Sequence, residues 1–262
     1  MSMLWKEIGR KLRARSLPCT RSVEAATSTG ASRRPARRSS DEETIRAFHA
    51  LYYARARGGG TWYDTNWLGR PVWKCPLDLW IYQELLAMLR PDFVIETGTL
   101  HGGSAFYLAS VMDLIGAGRV ISIDIADPRG LPAHPRVTLL QGSSVSDNIL
   151  REVIAMTKDA RSVMVILDSD HRAAHVGKEL RAYSDLVSGG GYMIVEDTNV
   201  NGHPVLPNYG PGPMEAVEEF LAEDRRFAVD KRSEKFLMTF NPNGFLRKVG
   251  DVAGPPHDPA EA

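Results

Sequence analysis

The chain has 262 residues, 43% of them apolar, and a formal net charge of zero. That is enough for one large domain or two small ones with a sizeable core. No apolar run approaches the roughly 18 residues needed to span a bilayer. The charge is unevenly placed: residues 1–40 hold ten Lys/Arg against two Glu, so the remainder is acidic by the same excess. An acidic body argues against a nucleic-acid enzyme, which needs a basic face. Two cysteines, Cys19 and Cys75, make no disulfide framework and point to a reducing cytoplasm.

Residues 1–40 read as a basic extension without core pattern. Within it Leu4, Trp5, Ile8 and Leu12 share a helical face flanked by Lys6, Arg10, Lys11, Arg13 and Arg15. This segment suits a peripheral contact of residues 1–15 with an anionic membrane at the inner face. A disordered extension, a helix docked on a neighbouring subunit and an organelle transit peptide stay open beside that reading. The run 33–40 reads as a linker. The folded domain is expected over 41–250, and a Pro-rich tail, expected to be disordered, over 251–262.

Asp41-Glu42-Glu43 before Ile45, Phe48 and Leu51 marks an acidic helix start. Gly58-Gly59-Gly60 breaks the chain. The stretch 61–69, rich in aromatic residues, suits either a substrate-facing wall or a segment packed across the domain. A helix over 79–89 follows, ended by Pro91. Strands are then predicted at 92–97, 119–125, 136–141, 162–168 and 191–197, and helices at 103–115, 146–158, 172–187 and 213–223. Short apolar runs alternating with amphipathic helices predict an α/β fold, a mostly parallel sheet with helices on both faces. Two further strand-like stretches, 226–231 and 235–240, would close a seven-stranded sheet as a hairpin.

Ligands of such sheets sit beyond the carboxyl ends of the strands. After the first predicted strand of the sheet come Glu96, Gly98, Thr99, Gly102, Gly103 and Ser104. The dinucleotide pattern G-x-G-x-x-G fails at Leu100, and the P-loop pattern fails at Ser104, where lysine is required. What remains is E-x-G-x-x-x-G-G, with Asp124 ending the next strand. Glycines here would let a ligand approach the backbone closely. Gly142, Ser143 and Ser144 follow the third strand and could border an adenine. Asp168, Asp170 and His171 follow the fourth, and Glu196 and Asp197 the fifth. Carboxylates gathered that closely cannot all stay ionised without a compensating cation, and an all-oxygen set suits Mg²⁺. Capping of the next helices, or pairing with Arg172 and Lys178, is the competing reading for any one acid.

The glycine loop with Asp124 resembles the first two motifs of class I S-adenosylmethionine (SAM)-dependent methyltransferases, which have a Rossmann-like fold. The runs Thr65-Asn66-Trp67-Leu68-Gly69, Lys74-Cys75-Pro76-Leu77-Asp78-Leu79-Trp80, Ile95-Glu96-Thr97-Gly98, Gly102-Gly103-Ser104-Ala105, Leu167-Asp168-Ser169-Asp170-His171 and Val195-Glu196-Asp197-Thr198 narrow it further. Together they resemble the cephalosporin hydroxylase family, which includes rhamnosyl O-methyltransferases and the cephamycin C-7 methylation protein. The resemblance covers about residues 60–248. It implies that Glu96, Gly98, Thr99, Gly102, Gly103, Ser104, Asp124, Gly142, Ser143 and Ser144 bind SAM. It also implies that Asp168, Glu196 and Asp197 hold Mg²⁺. The expected reaction is O-methylation of a sugar hydroxyl, of the rhamnosyl type, on a natural product or glycolipid. A β-lactam or phenolic hydroxyl is the alternative acceptor, and a SAM-binding subunit without activity is the alternative of another class. His171 and Asp170, beside Asp168, are the candidate bases, with His203 third. The loop 198–213 is expected to act as a lid, and the chain to form a homo-oligomer.

Overall fold

The computed structural model describes residues 40–55, 60–127, 130–131 and 133–250. The basic extension, the Gly58-Gly59 break and the Pro-rich tail lie outside them. Among the described residues, no helix is long and apolar enough to cross a membrane.

Helix α1 (Asp41–Ala54) opens on a reciprocal cap: Ser40 Oγ accepts from the Glu43 N–H, and Glu43 Oε2 accepts from the Ser40 N–H. A two-stranded hairpin, β1 (Asn66–Trp67) and β2 (Arg70–Pro71), precedes helix α2 (Pro76–Leu89). That helix starts three residues before the predicted 79, because Pro76 is preset for a first helical turn. It ends at Arg90 in the left-handed conformation, just before Pro91.

The sheet proper comprises β3 (Phe93–Thr97), β4 (Arg119–Asp124), β5 (Val137–Gln141), β6 (Val163–Leu167), β7 (Tyr192–Val195), β8 (Phe227–Val229) and β9 (Phe245–Lys248). Its order is β5-β4-β3-β6-β7-β9-β8. Strands β3 to β7 are parallel, and β9 runs antiparallel to both β7 and β8. The connecting helices are α3 (Gly103–Ile115), α4 (Asp147–Thr157), α5 (Ala173–Tyr183) and α6 (Pro213–Glu223).

Two core layers follow from strand alternation. Ile95, Ile121, Val165 and Met193 face α4, α5 and α6, whereas their neighbours Val94, Val120, Met164 and Ile194 face α2 and α3. Central strands buried on both faces must be apolar throughout, and β6 reads Val-Met-Val-Ile-Leu with every residue buried. Leu86 and Leu180 are each fully buried against the sheet. Truncating either to Ala would cost about 2–5 kcal/mol.

One predicted strand is misplaced. The stretch 235–240 is a loop after a 3₁₀ turn (Lys231–Glu234), and the last strand is Phe245–Lys248. Leu237 is exposed with φ +68°, while Met238 and Phe240 pack with Trp62 and Cys75 in a separate cluster. Phe245 and Leu246, both fully buried, fill the two core layers instead.

Candidate active site

The strand order reverses between β3 and β6, so the loops leaving these strands diverge and open a crevice. A cavity of about 550 Å³ lies there, bordered by the exits of β3, β4, β5, β6 and β7 and by residues 71–74. That size is ordinary for a small-molecule site.

On one side the crevice is made by backbone. Gly98 has φ +91°, and a Cβ on it would stand 1.9 Å from the Asp168 carbonyl oxygen. Gly103 is pressed in the same way against the carbonyl of Pro71, and Gly142 against the side chain of Ile149. The glycines are therefore demanded by chain packing on chain, where the sequence suggested ligand approach. Gly98, Thr99, Gly103 and Ser104 still line the cavity, as do Gly142, Ser143 and Ser144. Gly102 does not line it; with φ +70° it caps α3 in the left-handed conformation. Glu96 does not line it either. It is fully buried beneath the loop, and its Oε2 accepts from Ser122 Oγ at 2.7 Å. Burial raises its pKa, against the opposing charge of Lys74. Thr99 Oγ1 shares a 2.7 Å hydrogen bond with the same serine. Asp124 lies at the cavity edge, its Oδ2 accepting from the Leu100 N–H at 3.0 Å and its Oδ1 from the Ala126 N–H at 2.8 Å.

On the other side the crevice is made by charge. His171 is buried, and its Nε2 lies 3.2 Å from both Asp168 Oδ1 and Asp197 Oδ2. Burial alone would lower its pKa, but the two carboxylates outweigh this and push it up to about 9. Burial would also raise Asp168, but Lys74 and His171 hold it below the usual carboxylate range. For Asp197 and Glu196, burial prevails and raises both. Asp197 takes φ +55°, a conformation that Asp tolerates better than most residues.

Glu196 comes to this edge as expected, but it is differently engaged. Its Oε1 accepts from the buried Lys74 ammonium and from the Tyr82 hydroxyl. Lys74 also donates to Asp168 Oδ2 at 2.6 Å. Burial lowers the lysine's pKa less than Asp168 and Glu196 raise it, so the ammonium stays charged.

Three other expectations are corrected. Asp170 lines the cavity but turns to Arg172, accepting from its backbone N–H at 3.1 Å, and so stays out of the acid cluster. His203 lies outside the cavity lining, paired with Glu215 at 3.0 Å. The segment 198–213 is no free lid: Thr198, Asn199, Val200 and Val205 are buried. Thr198 donates to the Pro242 carbonyl, and Asn201 to Glu215. The aromatic stretch 61–69 divides. Trp62 is buried against Tyr53 and Phe240, and Trp67 packs edge-on to Tyr107. Tyr63 stacks on Trp73, which reaches the cavity.

The sequence reading gave no role to Lys74, Tyr82 or Glu179. Glu179 is fully buried below the β5 and β6 exits, accepting from Ser144 Oγ at 2.5 Å and Ser169 Oγ at 2.7 Å. Its spacing on α5 places it four residues after His175, which lines the cavity.

The donor set fits a hard divalent cation. One ligand atom each from Asp168, His171 and Asp197 lies within 4.8 Å of the others. Among the described residues, His171 Nδ1 is buried without a hydrogen-bond partner. A third carboxylate, Glu196, stands beside them, and carboxylate oxygens in excess of local positive charge suit Mg²⁺.

Comparison with known proteins agrees with this architecture. The profile of the family described as Rhamnosyl O-methyltransferase/CmcI matches residues 59–249. A protein named Rhamnosyl O-methyltransferase from Mycobacterium tuberculosis (strain ATCC 25618 / H37Rv) is 40% identical over 208 residues, covering 76% of this chain and 82% of its own. The protein of the same name from Mycobacterium leprae (strain TN) is 38% identical, covering 76% and 88%. A solved structure titled as cmcI with Mg and SAM superposes with a TM-score of 0.54 at 22% identity, over 71% of this chain and 77% of that one. A CmcI apo-structure gives 0.56 at 23%, over the same shares. The fold is that of SAM-dependent methyltransferases, and the chain belongs to the rhamnosyl O-methyltransferase/CmcI family.

Proposed function

We propose that this protein is a SAM- and Mg²⁺-dependent O-methyltransferase that methylates a sugar hydroxyl, a rhamnosyl group of a natural product or glycolipid. One observation carries the reading: a glycine-shaped loop with an acid at its rim shares one cavity of about 550 Å³ with Asp168, His171 and Asp197, whose ligand atoms lie within 4.8 Å of one another, and with Glu196. The name borne by relatives about 40% identical over four-fifths of their length supports the sugar acceptor. When bound, SAM supplies a sulfonium methyl group and Mg²⁺ supplies Lewis acidity toward acceptor hydroxyls.

The chain's own residues do the rest. Asp124 stands where a ribose diol could be held, and Gly142, Ser143 and Ser144 where a purine could lie. Asp168 and Asp197, with Glu196 beside them, hold the cation. His171 is assigned as the base at Nε2; Asp168 and Asp197, each 3.2 Å away, favour its protonated form, so it would accept the acceptor proton only where a bound cation draws on those carboxylates. Its burial keeps bulk water from competing for that proton.

The reading takes 41–250 as one catalytic domain in the cytoplasm. It takes residues 1–15 as a peripheral membrane contact, supported by their basic and apolar pattern. A homo-oligomer is supported by the exposed Trp80, Met88 and Leu114.

The test is methyl transfer from SAM to a rhamnosylated acceptor with and without EDTA. The expected result is turnover that EDTA abolishes and added Mg²⁺ restores. EDTA-resistant turnover would overturn the metal assignment, and SAM binding without transfer to any glycoside would overturn the sugar assignment.

A further inference from the structure

Lys74 is 4% exposed, and its ammonium sits inside the acid group. An isolated buried ammonium is very costly, so this one must be held by its partners. Those partners are far off in sequence: Asp168 is 94 residues away and Glu196 is 122. The oxygens are divided between two cations. Lys74 takes Asp168 Oδ2 and Glu196 Oε1, while Asp168 Oδ1 faces His171 and, beyond it, Asp197. The Tyr82 hydroxyl donates to the same Glu196 oxygen at 2.9 Å and is itself held by Asn241 Nδ2 at 2.9 Å. One oxygen of each of two carboxylates is thus tied back, and the other Asp168 oxygen faces His171.

Resting on the metal-dependent reading above, we propose that Lys74 is the fixed countercharge of the cation site. It acts as a positioning residue that holds Asp168 and Glu196 by one oxygen each and offsets one unit of the charge that a bound cation meets. That offset weighs more against an ion of higher charge. A neutral donor in its place would satisfy the same two oxygens without setting which ion they prefer. The two roles differ in a measurable way. Removing a nearby positive charge favours every cation, and the gain in the logarithm of affinity scales with ionic charge. Its ratio between a trivalent and a divalent ion is therefore about three to two.

The full-length protein, stripped with EDTA and dialysed, is titrated with Mg²⁺ by calorimetry. Tb³⁺ is followed by its luminescence, sensitised by Trp73 in the cavity wall. Lys74→Gln removes the charge and keeps a donor. The expected result is a fall in Kd of at least about tenfold for Mg²⁺ and about thirtyfold for Tb³⁺, both lost when Asp168→Ala is added. Lys74→Arg keeps the charge, and both constants should stay within about threefold of wild type. Unchanged or weaker binding of both ions by Lys74→Gln overturns the proposal. Should that variant fail to fold, Lys74→Arg decides: a shift beyond about tenfold with the charge retained would overturn it. If the wild-type protein binds neither ion, the metal site itself falls and the proposal with it.

Discussion

The two sides of the crevice are built by different physics. At the exits of β3, β4 and β5, position is set by backbone: glycines where no Cβ fits, and an aspartate that accepts from loop N–H groups. At the exits of β6 and β7, position is set by side-chain charge, with three acids, a lysine and a histidine balanced against one another. A backbone-built wall tolerates loss of charge and fails on added bulk. A charge-built wall tolerates small steric change and fails on neutralisation. Substitutions on the two sides should therefore separate into effects on folding or SAM affinity and effects on turnover.

The largest effect is expected where the two sides touch. Gly98→Ala forces a Cβ to within 1.9 Å of the Asp168 carbonyl, at a φ that alanine disfavours. Nothing flexible lies there to give way. The cost should be about 4 kcal/mol or more, a fall in melting temperature of roughly 8–16 °C or outright failure to fold. Thermal unfolding followed by circular dichroism measures it. A variant as stable as wild type would mean that the exits of β3 and β6 are not locked together.

Next in size is Asp168→Ala, on the charged side. It removes the carboxylate shared by Lys74 and His171. Methyl transfer should fall by at least about a hundredfold, while SAM affinity, measured calorimetrically, should stay within about threefold because the backbone wall is untouched. Full activity would end the metal reading. A large loss of SAM affinity would mean that the two sides are not independent.

The same division explains what could be read from the sequence. The central strands were legible because a parallel strand buried on both faces must be apolar throughout, as in 163–167. The acids were legible because they stand directly after such strands, where this architecture gathers its ligands. The strand 245–248 was not legible: it is four residues long and carries an exposed Arg247, whereas 235–240 offered a longer apolar run. That run serves an aromatic cluster outside the sheet. The glycines were found for an incomplete reason, since the carbonyl that excludes a side chain at Gly98 belongs to a residue 70 positions away. Lys74 was visible only as part of a family-like run. Its meaning depends on two carboxylates that only the folded chain brings to it. Local conformation and strand-end chemistry are written locally, and long-range charge balance is not.

The smallest expected effect tests the backbone side alone. Asp124 accepts from Leu100 N–H with one oxygen and from Ala126 N–H with the other, so its carboxylate spans the glycine loop and its own strand exit. Asp124→Asn keeps the shape but offers an acceptor on one side only, leaving an amide N–H₂ facing a backbone donor. A hydrogen bond to a charged acceptor contributes about 1.5–3 kcal/mol. If part of that term is carried over to a bound ribose, SAM affinity should fall by about tenfold. Losing one such bond should lower melting by roughly 3–12 °C. At saturating SAM, kcat should remain within about threefold of wild type, because no charge on the acid side has changed. A fall in kcat comparable to that of Asp168→Ala, with SAM affinity intact, would place Asp124 in the chemistry and remove the distinction between the two walls.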